Sequence, residues 1–71
     1  MDIKKIFAEN FAEAMRSSLY SYAELSRKLN ITKATISMYK HGKALPSLET
    51  FYTICELLDV SADFLLGKKE M

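Results

Sequence analysis

The amino-acid sequence predicts an all-α fold, a compact bundle of five short helices with no strand. Four copies of one helix-start pattern and a fifth segment with helical spacing of apolar residues support this prediction. Only three of the 71 residues are Gly or Pro, and hydrophobic residues make up 49% of the chain, which suits a packed helical domain and not a disordered one. Residues 1–71 are predicted to form a single domain, because so short a chain has room for only one small core.

Four predicted helix starts share one pattern: an apolar residue or Pro, then Ser or Thr, then three residues, then an apolar residue. The hydroxyl accepts a backbone N–H of the first helical turn, and the residue before it packs on the fourth helical position. The cap residues and their predecessors are Tyr20-Ser21, Ile31-Thr32, Pro46-Ser47 and Val60-Ser61. Each Ser or Thr is therefore predicted to be the N-cap of a helix.

A further helix precedes these four, because Ile3, Phe7 and Phe11 recur at helical spacing and Asp2 is available as its cap. Glycines are placed to end the third and fifth helices with a left-handed backbone conformation, at positions 42 and 67. The predicted spans are 3–17, 22–29, 33–41, 48–58 and 62–66.

Only Asn30, Ile31 and Thr32 separate the second and third predicted helices. So tight a reversal usually needs one residue with positive φ, which Asn tolerates better than other non-glycine residues. Asn30 is therefore predicted to have a left-handed backbone conformation. Two short helices joined at a steep angle by such a turn form a helix-turn-helix.

Charge is distributed unevenly along a chain whose formal net charge is only +1. Residues 25–48 contain five basic residues and no Asp or Glu, whereas residues 49–66 contain four acidic residues and no Lys or Arg. A basic stretch is either a solvated surface or a surface that faces phosphates. Charge alone leaves both interpretations open.

Several kinds of site are excluded by the sequence. Cys55 is the single cysteine, so an internal disulfide is not possible. One cysteine and one histidine, His41, are too few ligands for a metal site, and no cofactor is expected. Cys55 is instead expected in the core with Phe51, Ile54 and Leu58.

An enzyme is not expected, because a Gly-rich phosphate loop and a nucleophile with a base are both missing. Without a long apolar run or a signal peptide, the protein is expected in the cytoplasm, with no membrane contact.

Two segments, AELSRKLNITKATISMYKHGKALPSLETF from Ala23 to Phe51 and LLDVSADFLLG from Leu57 to Gly67, resemble the phage repressor and Cro family. This family is also called Xre-type or lambda repressor-like. The resemblance implies a sequence-specific regulator of transcription that binds double-stranded DNA, with the helix-turn-helix motif at 22–41 and the recognition helix at 33–41. Small Ser26 takes the position where the two helices cross. The family's core positions fall on Leu25, Leu29, Ile31, Ile36 and Tyr39.

The resemblance further implies that the N-terminal part of the recognition helix lies in the major groove and contacts base edges. Ile36 and Tyr39 turn inward on this helix, which leaves Met38 outward in preference to a place in the core. The residues expected to read bases are Lys33, Ala34, Thr35 and Met38. Lysine can donate to guanine, threonine can bond to a base or a phosphate, and alanine and methionine can contact a thymine methyl group.

Phosphate contacts are expected at the start of the second helix and near the far end of the recognition helix. The residues are Ser21, Tyr22, Ser37, Lys40 and Lys43. Each also has a simpler interpretation: the serine at position 21 is a cap first, and the two lysines can be merely solvated. His41 is expected to be an exposed helix-end residue that the helix dipole favours.

The sequence departs from the family pattern at three places. Many relatives begin the second helix with a DNA-contacting Gln, where this chain has Tyr22. Many also pair an Arg in the first helix with a Glu before the closing Gly, where this chain has Met15 and Lys40. Both charged partners are missing together, so no buried charge is left unpaired. Asn30 replaces the family's turn glycine.

A symmetric homodimer on a palindromic operator is expected, because one recognition helix reads only a few base pairs. The acidic C-terminal region is the expected dimer surface, since the basic middle of the chain faces phosphates and would repel its copy. The interface residues expected there are Leu57, Val60, Phe64 and Leu65. A repressor is the predicted function, with activation left open, and the alternative is an antitoxin or other protein-interaction module on the same fold.

Overall fold

The computed structural model describes residues 1–69, which form five α-helices and no strand. The helices are α1 Ile3–Ser17, α2 Tyr22–Leu29, α3 Lys33–Lys40, α4 Leu48–Leu58 and α5 Ala62–Leu65. The predicted all-α fold is confirmed, and every helix begins at the predicted residue. Helices α3 and α5 end one residue earlier than predicted, because His41 and Leu66 are their C-caps.

Each helix begins at the cap that the sequence predicts. The Asp2 carboxylate accepts the Lys5 amide at 3.3 Å. The four Ser and Thr hydroxyls accept the amide of the third helical residue at 3.0 to 3.1 Å. In α2 the Ser21 amide also donates to Glu24 Oε1 at 3.0 Å, which completes a capping box. The hydrogen bonds from the Ser21 amide and hydroxyl lower the pKa of the Glu24 carboxyl, which is therefore charged at neutral pH.

The connection between α2 and α3 depends on a left-handed backbone conformation at Asn30, where φ is 56°. The Asn30 amide donates to Arg27 O at 3.2 Å, and the Ile31 amide donates to Ser26 O at 3.0 Å. This Schellman-type arrangement satisfies carbonyls at the end of α2 and reverses the chain within three residues. The predicted conformation of Asn30 is confirmed.

A second left-handed residue, Asp59, ends α4 and was not predicted. Its φ and ψ of 54° and 48° match the 56° and 44° of Asn30, and the Val60 amide donates to Cys55 O at 3.1 Å. The sequence carries a signal for it, since residues 58–61 repeat the order of residues 29–32: leucine, Asn or Asp, a β-branched apolar residue, then a hydroxyl cap. The two turns are therefore built alike.

One core holds the bundle together. On α1, Phe7 and Phe11 stack with ring centroids 5.4 Å apart, and Tyr39 of α3 stands edge-on to both rings at 6.0 Å. The largest fully buried side chains are Phe7, Phe11, Leu25, Ile36, Ile54 and Leu65. These residues come from all five helices, so each helix is fixed by its share of the same core.

The predicted core of the helix-turn-helix is largely confirmed: four of its five residues are buried, and Ile31 packs against them half-buried. On α4, Ile54 and Leu58 are buried, whereas Phe51 and Cys55 are half-buried at the edge of the core. Cys55 is thus less buried than expected. Partial burial, with the nearby Glu56 carboxylate, raises the pKa of the Cys55 thiol.

Helix α5 is fastened to α1, where Asn10 Nδ2 donates to Phe64 O at 3.0 Å. Phe64 and Leu65 are 5% and 0% exposed, so their side chains belong to the core and are too buried to contact a second copy. The other two residues expected in a dimer surface, Leu57 and Val60, keep part of their side chains exposed, since both are half-buried against the core.

Replacement of Asn30 by Val is expected to lower the free energy of unfolding by about 1 kcal/mol or more, because a β-branched side chain crowds a left-handed backbone. Asn30→Gly is expected to be neutral or slightly stabilising. Urea unfolding measures both, with Asp59→Val and Asp59→Gly as a matched pair at the second left-handed residue. If Asn30→Val unfolds like the parent, the turn geometry is wrong.

Candidate nucleic-acid interface

Helix α3 has one face in the core and one face in solvent. Ile36 and Tyr39 are 0% and 5% exposed, whereas Met38 is 43% exposed. The outward side, here called the reading face, consists of Lys33, Ala34, Thr35 and Met38. Thr35 is half-buried and the other three are exposed. The structure thus brings the four residues expected to read bases to one side of one helix.

The first turn of α3 is ordered by its cap. Thr32 Oγ1 accepts the Thr35 amide at 3.1 Å, and the hydroxyl oxygens of the two threonines lie 2.9 Å apart. One hydroxyl therefore donates to the other. When Thr32 is the donor, the Thr35 hydroxyl proton is left for a base or a phosphate; when Thr35 is the donor, a bond to a base replaces this one.

The last turn of α3 positions Lys43 and His41. Gly42 has a φ of 71° and donates its amide to Tyr39 O at 3.3 Å, and the Lys43 amide donates to Met38 O at 2.9 Å. These bonds fold the chain back, so that exposed Lys43 lies beside the helix end. The His41 amide donates to Ser37 O at 3.0 Å, and His41 Nδ1 lies 2.7 Å from the same oxygen. His41 is exposed at the helix end, as expected.

Tyr22 at the start of α2 and Lys40 at the end of α3 form a pair. Lys40 Nζ lies 4.8 Å from the centroid of the Tyr22 ring, a distance at which the ring face attracts a cation. Two residues expected to contact phosphate separately are therefore joined. Met15 is 8% exposed in the core. No spacing in the sequence signals the Tyr22–Lys40 pair, because it depends on how α2 crosses α3.

The start of α2 is electrostatically less favourable to phosphate than the sequence suggests. The Ser21 amide is occupied by Glu24, and the Ser21 hydroxyl oxygen accepts the Glu24 amide. The Ser21 hydroxyl also bonds to the Glu24 carboxylate, so a phosphate contact from this hydroxyl would have to replace that bond. The Glu24 carboxylate, whose pKa is lowered by these hydrogen bonds, places a negative charge beside the same helix end.

Comparison with known proteins decides the family. The helix-turn-helix family profile matches residues 11–65, which include both helices of the motif and most of the core that supports them. The chain belongs to the helix-turn-helix family. Its likeness to the Xre-type branch, inferred from the sequence, is confirmed.

Three relatives come from Bacillus subtilis (strain 168). The HTH-type transcriptional regulator ImmR is 36% identical over 59 residues, covering 83% of this chain and 46% of ImmR. The SPbeta prophage-derived HTH-type transcriptional regulator YonR is 36% identical over 61 residues, covering 86% of this chain and 56% of YonR. The HTH-type transcriptional regulator YqaE is 31% identical over 61 residues, covering 86% of this chain and 53% of YqaE.

The chain spans about half the length of these curated relatives. No solved structure matches it significantly. Members of the family are transcriptional regulators that bind DNA, and the prediction that the chain is not an enzyme is confirmed by this membership.

Within residues 1–69, no three His, Cys, Asp or Glu side chains are grouped so that they could hold a metal ion. No helix of this part of the chain is long and apolar enough to cross a membrane.

The Tyr22–Lys40 contact is expected to stabilise the fold by about 0.5 to 1 kcal/mol, the usual size of an exposed cation–π interaction. A double-mutant cycle with Tyr22→Leu and Lys40→Ala, followed by urea unfolding, measures this coupling. Tyr22→Phe keeps the ring and is expected to keep the coupling. Tyr20 and Lys28, at 5.8 Å, form a matched looser pair for which a smaller coupling is expected. A coupling of zero for Tyr22 and Lys40 would contradict the geometry.

Proposed function

We propose that this protein is a sequence-specific DNA-binding transcriptional regulator, a repressor that binds a palindromic operator as a homodimer in the bacterial cytoplasm. The observation that carries the proposal is the reading face of α3, four outward side chains on a helix whose opposite side is locked into the core. An α-helix of this kind fits the major groove of B-form DNA, where each base pair shows a distinct pattern of donors and acceptors.

Each side chain of the reading face has its own chemistry. Lys33, in the first turn of α3 and exposed, donates to guanine O6 or N7. Ala34 and Met38, one turn apart on the same side, contact thymine methyl groups. Thr35 contacts a base or a phosphate through its hydroxyl proton, with Thr32 as the donor in the bond between the two threonines. The helix therefore discriminates bases by a lysine at its entrance and two apolar contacts along its length.

Phosphate contacts hold the reading face in register at both ends of the motif. Lys43 is exposed beside the last turn of α3, where its amide donates to Met38 O, and Lys40 is held over the Tyr22 ring. Ser21 adds a contact when its hydroxyl leaves the Glu24 carboxylate. Such contacts fix the orientation of a protein on DNA and supply affinity that falls with salt, but they carry no sequence information directly.

The size of the domain supports binding as a pair. Half-sites of a palindrome lie about 34 Å apart, one helical turn of DNA, and the longest dimension of this domain is 29 Å. Two copies side by side can therefore place their α3 helices in successive major grooves on one side of the duplex. Repression needs only that this pair cover promoter DNA, whereas activation needs a further contact with the transcription machinery. Repression is therefore the role for which the proposed DNA contacts suffice.

The two lysines at the ends of α3 are expected to differ in role. Lys33→Ala is expected to lose about 1 to 3 kcal/mol of discrimination at one base pair, because Lys33 contacts a base edge. Lys43→Ala is expected to weaken binding to all sequences nearly equally and to reduce the salt slope by about 1, because Lys43 contacts a phosphate. Each variant is the other's control, since both remove one lysine charge.

The measurement is a binding titration at several salt concentrations, on an operator selected from random duplex DNA and on its single-base variants. The selected operator is expected to be a palindrome with half-sites about one helical turn apart. Selection that enriches no sequence would contradict sequence-specific binding. If Lys33→Ala leaves every base preference intact, Lys33 does not read a base.

A further inference from the structure

His41 continues the outward side of α3 beyond the last helical turn. Residues at positions i, i+4 and i+7 of a helix lie on one side of it, and Ala34, Met38 and His41 have this spacing. The His41 amide donates to Ser37 O at 3.0 Å, as in a further turn of the helix, and the residue is exposed. His41 therefore lies on the same side of α3 as the reading face.

The ring of His41 is oriented by a hydrogen bond to α3 itself. His41 Nδ1 lies 2.7 Å from Ser37 O and 3.3 Å from Ser37 Oγ. A carbonyl oxygen can only accept a hydrogen bond, so Nδ1 carries a proton and donates it to Ser37 O. Nε2 is then the nitrogen that gains or loses a proton when the ring titrates. Protonation adds a positive charge and a second donor while the first hydrogen bond stays in place.

The charged groups around His41 nearly balance in the free protein. The ring borders a pocket between α1 and the end of α3. The charged residues that line this pocket or follow it in the chain are Asp2, Lys5 and Glu9 of α1, Lys40 of α3 and Lys43 of the next loop. The two carboxylates favour a charged ring, and the three lysines oppose it. A phosphate placed near the ring would therefore add a negative charge that these residues do not supply.

We propose that His41 contacts a DNA phosphate in its protonated form, so that the protein takes up a proton when it binds its operator. The proposal rests on the proposed function, in which Ala34 and Met38 enter the major groove. His41 follows Ala34 by seven residues, about 10 Å along the helix axis, and the major groove is about 12 Å wide. With Ala34 at the base edges, the end of α3 reaches the wall of the groove, where the phosphates lie.

The neutral ring of His41 cannot make this contact. Its one proton, on Nδ1, is donated to Ser37 O, and a neutral Nε2 can only accept a hydrogen bond. Phosphate oxygens also only accept, so the neutral ring and a phosphate have no proton to share. The hydrogen bond to Ser37 therefore makes the phosphate contact depend on a second proton.

The direction of the pH dependence follows from this charge. A phosphate beside the ring favours its charged form, so the complex holds the proton more tightly than the free protein does. Affinity for DNA therefore rises as the pH falls through the range in which histidine titrates, about pH 8 to about pH 5. The gain is complete once the ring is charged in the free protein as well, and it is absent where the ring is neutral in both states.

The test is a binding titration on the selected operator at about pH 5.5 and about pH 8, at several salt concentrations. The parent is expected to bind about fivefold or more tightly at the lower pH, because an opposite charge commonly shifts a titration by about one unit or more. Its salt slope is expected to be larger by about 1 at the lower pH, because one more phosphate is neutralised.

Three variants separate His41 from the other charged groups. His41→Gln is expected to bind at both pH values as the parent does at the higher pH, and His41→Arg, whose charge is permanent, as the parent does at the lower pH. Lys43→Ala is expected to bind more weakly at both pH values and to keep the parent's ratio between them. His41→Gln retains every other titratable group, including the Met1 amine, and circular dichroism at both pH values checks that each protein is folded.

Equal affinity of the parent at the two pH values overturns the proposal, as does the parent's full pH dependence in His41→Gln. Tighter binding of His41→Arg at the lower pH, by the same factor as in the parent, assigns the proton to another group and overturns it as well. Failure of the parent to bind the operator at either pH is a different result, because it contradicts the proposed function.

Discussion

The packing of α3 against the aromatic residues of α1 sets the rotation of α3 about its own axis, and the proposed DNA contacts depend on that rotation. Tyr39 stands edge-on to Phe7 and Phe11, with both centroid distances at 6.0 Å, and Ile36 is fully buried beside it. Successive helical residues differ by about 100° around the axis. A shift of one residue would therefore move Tyr39 to the exposed position of Met38 and put Lys40 in the buried position of Tyr39. Such a rotation of α3 would break the contacts of Tyr39 with Phe7 and Phe11, which makes it unfavourable. The reading face is therefore fixed before any ligand is present.

Helix ends determine where this packing can occur in so short a chain. All five helices start at a side-chain cap, and four are followed by a left-handed residue, two Gly, one Asn and one Asp. Each cap contributes about 1 kcal/mol, a large amount for a small domain with limited burial. The same turns also place two of the proposed DNA contacts. The reversal at Asn30 sets Lys33 at the exposed start of α3, and the one at Gly42 sets Lys43 beside its last turn.

Local chemistry explains which features the sequence predicts. Helix starts and the conformation of Asn30 depend on residues within one turn of each other, so they can be predicted from the sequence. The pattern that identifies Asn30 also identifies Asp59. The outward side of α3 follows from helical periodicity once Ile36 and Tyr39 are assigned to the core. Contacts formed between helices cannot be predicted in this way. The pairing of Tyr22 with Lys40 and the burial of Phe64 depend on how distant segments pack.

The central claim is that the outward side of α3 enters the DNA groove while the rest of the fold serves to present it. NMR titration of the 15N-labelled full chain with the selected operator duplex tests this most directly, because each backbone amide reports separately. The account predicts the largest amide shifts at residues 33–38, smaller ones at Tyr22 and Lys43, and little change along the buried part of α1. Unchanged amides throughout α3, with the largest shifts around Leu19 and Val60, would contradict it.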